Sequence, residues 1–122
     1  MQNLEQIRAA AALKVAEKTS KADVNKLPAM IIANGLLAAT AFATEPTKDG
    51  GYKRPEMAEV LNGTAQHLAN PVHGLTELAG VKDARAMTKA LSENASSAVL
   101  QRATTEGLAF IGYVKRFARK EA

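Results

Sequence analysis

The sequence predicts an all-α fold, a compact helical bundle of about five to six helices that ends in a long C-terminal one. Three observations predict it: alanine dominates, β-branched residues are scattered, and no alternating run of Val, Ile, Thr and aromatics is bounded by turns. The 122 residues fit a single helical domain, 1–122, and exclude a multidomain enzyme. Hydrophobic residues at 47% and charged residues at 23% are the balance of a chain that folds rather than one that stays disordered. Without cysteine there is no disulfide framework, thiolate metal site or cysteine nucleophile, which suits a reducing, cytoplasmic location.

Asn3 followed by Gln6 has the spacing of a capping box, and Leu4, Ile7, Ala11 and Val15 then share one face, so a first helix is expected to about Lys18. The start has an acid at Glu5 and only broken apolar runs, so no secretion signal is read. Thr19 to Lys26 is polar and reads as a connection. Leu27 to about Thr44 is apolar nearly all round; at about 17 residues and with Asn34 inside it, it reads as a buried helix and not a membrane span. Asn34-Gly35 is a turn signal, yet with no other breaker near it a continuous helix is expected, Gly35 letting another helix approach closely. Two prolines and two glycines among charges make residues 45–55 an exposed, mobile loop. A third helix starts near Pro55, is open to loosening at Gly63, and ends before Asn70-Pro71. Asn70 to Gly80 connects to a short helix from about Lys82 to Leu91, and the long last helix begins near Ser92.

On a helical wheel Val99, Leu100, Ala103, Gly107, Phe110, Ile111, Val114, Phe117 and Ala118 fall in one arc, the expected core face. Arg102, Lys115, Arg116, Arg119 and Lys120 fall in the opposite arc. The net charge of +4 is concentrated at the ends of the chain: residues 1–26 carry +2, residues 100–122 carry +3, and the middle carries −1. Lys14, Lys18 and Lys21 share a flank of the first helix, so side-by-side packing of the first and last helices would merge two basic flanks into one strip able to track phosphates. A merely solvated face explains the same pattern equally well. Arg8 lies beside Leu4 and Val15, where a structural arginine with a buried stem is expected. Leu108, Ala109 and Gly112 form a small apolar spot within the basic arc, making Leu108 and Gly112 candidates for a protein interface.

Catalytic patterns are not found. His67 and His73 are six apart with Pro71 between them, unlike two ligands on one helix face, so each reads as a capping or surface residue and no metal is expected. Asp49-Gly50-Gly51 lacks the spacing of a phosphate loop, and Ser92, Ser96 and Ser97 read as helix caps. Tyr113 is the only ring on the basic face, with Tyr52 in the loop, which leaves little scope for base stacking.

Gln101 to Lys120, QRATTEGLAFIGYVKRFARK, resembles the C-terminal helix of the Cmr small subunit family of type III-B CRISPR effector complexes, in which a Glu, a Leu-Ala-Phe and a Lys-Arg-Phe-Ala occur in this order. LEQIRAAAALKVAE from Leu4 to Glu17 is similar to that family's first helix, and LPAMIIANGLLAATAFA from Leu27 to Ala43 to its apolar second one. The middle matches only in length and helical character, and Tyr113 stands where the family commonly has Trp. The resemblance implies a non-catalytic subunit of the RAMP module in antiviral defence, without cofactor or membrane, in more than one copy along a ribonucleoprotein. Its implied partners are the other Cmr subunits, especially the backbone subunit to which cleavage belongs, further copies of itself, guide RNA and target RNA. Base pairing would supply specificity while this chain lines the groove and contributes phosphate and shape contacts. Carried over by position, Arg8, Lys115 and Arg116 match family motifs as RNA-binding residues; Lys14, Lys18, Lys21, Arg102 and Arg119 are nominated by their place on the wheel. The alternative is a helical protein-interaction adapter that makes no contact with nucleic acid.

Overall fold

The computed structural model describes residues 2–119. It comprises α1 (Leu4–Ala16), α2 (Lys21–Val24), α3 (Leu27–Asn34), α4 (Leu36–Ala43), α5 (Pro55–Leu68), α6 (Ala84–Glu93) and α7 (Ser97–Phe117), with 3-10 turns at Pro71–His73 and Thr76–Leu78. No β-strand occurs among the described residues, and the all-α reading holds, long C-terminal helix included. α7 packs most extensively on α1 and also against α5, α3 and α2, while α6 closes over α4 and α5.

Local chemistry explains most of the helix ends. The Asn3 side chain accepts from the Gln6 amide and the Gln6 side chain from the Asn3 amide, both at 2.9 Å, so two of the donors that a helix start leaves free are satisfied reciprocally. Pro55 occupies the first turn of α5, where its missing N–H is harmless. Asp83 caps α6 through the Ala86 amide at 2.8 Å. Ser96 caps α7 through the Val99 amide at 3.2 Å, so the last helix begins five residues after the expected Ser92. Ser92 is instead inside α6, donating to the Thr88 carbonyl, and Asn94 and Ala95 separate the two helices.

The continuous helix expected from Leu27 to Thr44 is two helices. Gly35 ends α3 and starts α4 at φ +92° and ψ 161°, a region that only glycine enters readily. Its amide still bonds the Ile31 carbonyl at 2.7 Å and its carbonyl takes the Ala39 amide at 3.1 Å, so one residue serves both helix ends. The break lets α3 pack on α7 while α4 packs on α5 and α6, which one straight rod of this length would not do. Nothing approaches the space where a Gly35 side chain would sit, so this glycine is present for its backbone and not for close packing. The segment is also less buried than its composition predicts, since Ile32 is 74% exposed.

The close approach occurs at Gly63, where α5 stays unbroken: a Cβ there would collide with the Val15 side chain of α1. The Thr19–Lys26 stretch is likewise more than a polar connection. Thr19 and Ser20 are buried, Val24 is fully so, and residues 19–21 pair with the other end of the chain through Arg119 N–Thr19 O (3.1 Å) and Lys21 N–Arg119 O (3.0 Å). Between α4 and α5 the chain from Pro46 to Lys53 is exposed but closed on itself. Arg54 donates to Glu45 at 2.8 Å and lies 3.6 Å over the Phe42 ring, and Lys53 N bonds Glu45 O at 2.9 Å.

The core is built on Phe110, Ile111 and Val114 of α7, Leu61 and Leu68 of α5, Leu27 and Ile31 of α3, and Met87 of α6. In the expected apolar arc of α7, Ala103, Gly107 and Ala118 are also buried and Val99 and Leu100 half-buried. Phe117 is the exception at 39% exposed: it lies in the last turn, where the chain leaves the helix, and its ring leans on Tyr113 at 5.9 Å.

Gly35→Ala forces an L-side chain into the strained region at the α3–α4 junction, and a loss of about 1–3 kcal/mol in denaturant unfolding is expected without loss of helix content. Gly63→Ala acts through packing instead, by driving α1 off α5, and is expected to cost a further 1–3 kcal/mol, roughly the scale of overpacking.

Candidate nucleic-acid interface

The basic residues nominated from the sequence are distributed over α1, the segment that follows it, and α7 with the residues just beyond it. At the C-terminal end of α7, Lys115, Arg116 and Arg119 are exposed, and the Lys21 ammonium reaches them from α2, donating to the Lys115 carbonyl at 3.1 Å and lying 3.5 Å from the Arg116 carbonyl. A cation at those carbonyls complements the negative end of the helix dipole. Arg119 is joined to this group through its backbone contacts with Thr19 and Lys21. None of Lys14, Lys18, Lys115 or Arg116 is in an ion pair among the described residues. Lys120 lies outside them.

Lys14 is exposed but borders the groove between α1 and α5, with Gln66 and Asn70, and Lys18 is exposed one turn further on. Arg102 is exposed thirteen residues before Lys115, roughly 20 Å along the helix, and donates to the His73 carbonyl at 2.9 Å. Leu108 is half-buried and packs on the core; Gly112 is half-buried, and its Cβ position meets no other group. Tyr113 is half-buried, with its hydroxyl donating to Glu5 at 3.2 Å.

Arg8 is engaged inside the protein. Its Nε donates to Glu106 Oε2 at 2.8 Å and a terminal nitrogen to Oε1 at 2.7 Å, a bidentate pair between α1 and α7. His67 Nε2 meets the same Oε2 at 2.8 Å from α5. His67 is not the capping or surface residue that its sequence position suggests: it is 3% exposed, stacked on Phe110 with centroids 4.7 Å apart. His73 stands edge-on to it at 4.4 Å. Sequence reading passed over Glu106 because its partners are 98 and 39 residues away. The available signal was its place on α7, three residues from Ala103 and four from Phe110, a carboxylate at the margin of a core face.

Burial drives the His67 pKa down, against the hydrogen bond and charge of Glu106, which act to raise it. His73 is lowered by burial first and by His67 second. For Glu106 burial acts to raise the pKa, but the bonds from Arg8 and His67 outweigh it and hold the carboxyl below its ordinary range. The resulting node is a carboxylate shared by two donors on different helices, which orients α1, α5 and α7 together.

These features define an all-α protein whose central ionisable residues join its helices and whose longest helix carries exposed positive charge at its C-terminal end. The Cas_Cmr5 model, for CRISPR-associated proteins, matches residues 2–121, so the chain belongs to the CRISPR-associated Cmr5 family of small Cmr-complex subunits. Neither the curated proteins nor the solved structures contain a significant match. No helix among the described residues is long and apolar enough to cross a membrane.

Glu106→Gln leaves the Arg8 guanidinium without its counter-charge, and a loss of roughly 2–3 kcal/mol in equilibrium unfolding is expected, below that of a fully buried pair because Arg8 keeps 20% of its side-chain surface. The pH dependence has a definite sign. The unfolded chain takes up a proton at His67 near its ordinary 6.5 while the folded ring resists it, so stability is greatest above that pH and falls on acidification. Glu106 adds a second loss below about its ordinary 4.5, as the native ion pair is protonated. A thermal-melting series across this range checks both steps, and Glu106→Gln is expected to lose the lower one.

Proposed function

We propose that this chain is a non-catalytic small subunit of a type III-B Cmr ribonucleoprotein, lining the guide/target groove and steadying target RNA through phosphate contacts in antiviral defence. Family membership supports the assembly, and one observation carries the contact: Lys115 and Arg116 stand exposed at the end of α7 with Lys21 and Arg119 gathered beside them. Four cations at one helix end suit a phosphate backbone, whose recognition needs charge and spacing but no base-edge geometry. Lys21 bonds the α7 carbonyls, so it adds to the local field even without touching a phosphate. Lys14, Lys18 and Arg102 serve as secondary contacts where the RNA passes α1 and the middle of α7. Arg8 acts in this reading through Glu106, by fixing α7 against α1.

Base pairing with the guide supplies specificity, and the subunit supplies shape and charge. Its protein partners are the other Cmr subunits, the backbone subunit foremost, and further copies of itself. Leu108 and Gly112 mark the surface where a neighbouring subunit comes close. The complex works in the cytoplasm.

Reconstitution with the remaining Cmr subunits and a guide RNA, followed by target-RNA retention across a salt series, tests the reading. With the native chain, four phosphate contacts make retention fall about a hundredfold between roughly 50 and 200 mM salt. The double substitution Lys115→Glu/Arg116→Glu is expected to weaken retention and reduce the salt slope by about two, with the helical spectrum retained. Retention indifferent to both substitutions and to salt, in a complex that still incorporates the chain, favours the protein-interaction adapter.

A further inference from the structure

We propose that His67, His73 and Glu106 form a binding site for one divalent transition-metal ion, with zinc the best fit, at the junction of α5, α7 and the Pro71–His73 turn. One donor atom from each residue lies within 4.8 Å of the other two. A tetrahedral ion with bonds of about 2.0–2.1 Å sets neighbouring donors about 3.3 Å apart, so the three reach ligating positions by shifts of roughly 1.5 Å or less. Two imidazoles and a carboxylate are a donor set that zinc accepts.

A second observation points the same way. His73 Nε2 is buried and has no hydrogen-bond partner. Buried polar atoms in a well-packed core are normally satisfied, and an unsatisfied ring nitrogen next to the His67–Glu106 contact points to a partner that is not part of the chain; His67 would ligate through Nε2, the nitrogen that faces Glu106.

The site also has an approach. A cavity of about 550 Å³ opens beside it, lined by His73 and Glu106 together with Arg102, Thr105, Leu4 and Val72, giving the ion an entry path and a water its fourth position. Arg8 acts against the ion, because it holds a positive charge on the carboxylate ligand. It makes this site weaker than a closed four-ligand one, and on Oε2, which Arg8 shares with His67, the ion would take the place of the His67 contact. The bound ion would tie the Asn70–Gly80 connection to the last helix, a tether that the proposed RNA contacts neither require nor supply.

The full chain, stripped with chelator and titrated with cobalt(II), provides the test. One equivalent is expected to produce the visible bands of tetrahedral cobalt, zinc to displace them, and zinc to raise the melting temperature. His73→Ala removes a ligand from a surface turn rather than from the core, so the apo protein is expected to melt near the parent while cobalt binding weakens by more than about tenfold. The proposal is overturned if the parent shows no saturable cobalt spectrum, or if His73→Ala retains it. His67→Ala is a second ligand deletion, read only if its helical spectrum matches that of the parent.

Discussion

A single carboxylate, that of Glu106, decides how the three principal helices sit. It receives two N–H bonds from Arg8 of α1 and one contact from His67 of α5, all between 2.7 and 2.8 Å. A carboxylate at the edge of a core is costly unless its lone pairs are filled, and these partners come from both helices that flank α7. Around that node the apolar surfaces follow: Phe110 stacks on His67 one turn beyond Glu106, and Val15 of α1 fits against Gly63 of α5. The ion pair adds orientation to packing that apolar residues alone would leave free to rotate.

The second constraint is the helix break at Gly35. Two eight-residue helices are too short to persist alone, so each depends on the layer it joins, α3 on α7 and α4 on α5 and α6. The exposed segment after α4 is shaped by Arg54, which bonds Glu45 and stacks over the Phe42 ring.

What could be read from residues alone was what neighbours in sequence determine. The Asn3–Gln6 box, the Pro55 start, the exposed run through Gly50 and Gly51, and the apolar arc of α7 all depend on residues a few positions apart. Phe117 failed in that arc because a wheel ignores where a helix ends. Asn34-Gly35 was visible as a turn signal, but the surrounding apolar run argued for continuity, and only the competing packing demands of α5, α6 and α7 decide between them. Arg8 reads from the sequence as a structural arginine, but its pairing with Glu106 and His67 was beyond reach because their spacing in sequence has no period. The same applies to the basic residues: the wheel ordered those on α7 correctly, whereas Lys14 faces the α5 groove and Lys21 caps α7, placements set by tertiary contacts.

The separation of 98 residues between Arg8 and Glu106 has a consequence for how the protein is made. The most extensive helix pairing joins the first helix to the last, and residues 19–21 pair with Arg119. A ribosome delivers α1 long before α7 exists, so through most of synthesis the first helix lacks its most extensive packing partner and the anion for its arginine. α5 and α6 can associate earlier, but the closing contact must wait until α7 has emerged. Full protection of the N-terminal helix therefore waits for α7, and a chain truncated within α7 leaves α1 and residues 19–21 open together.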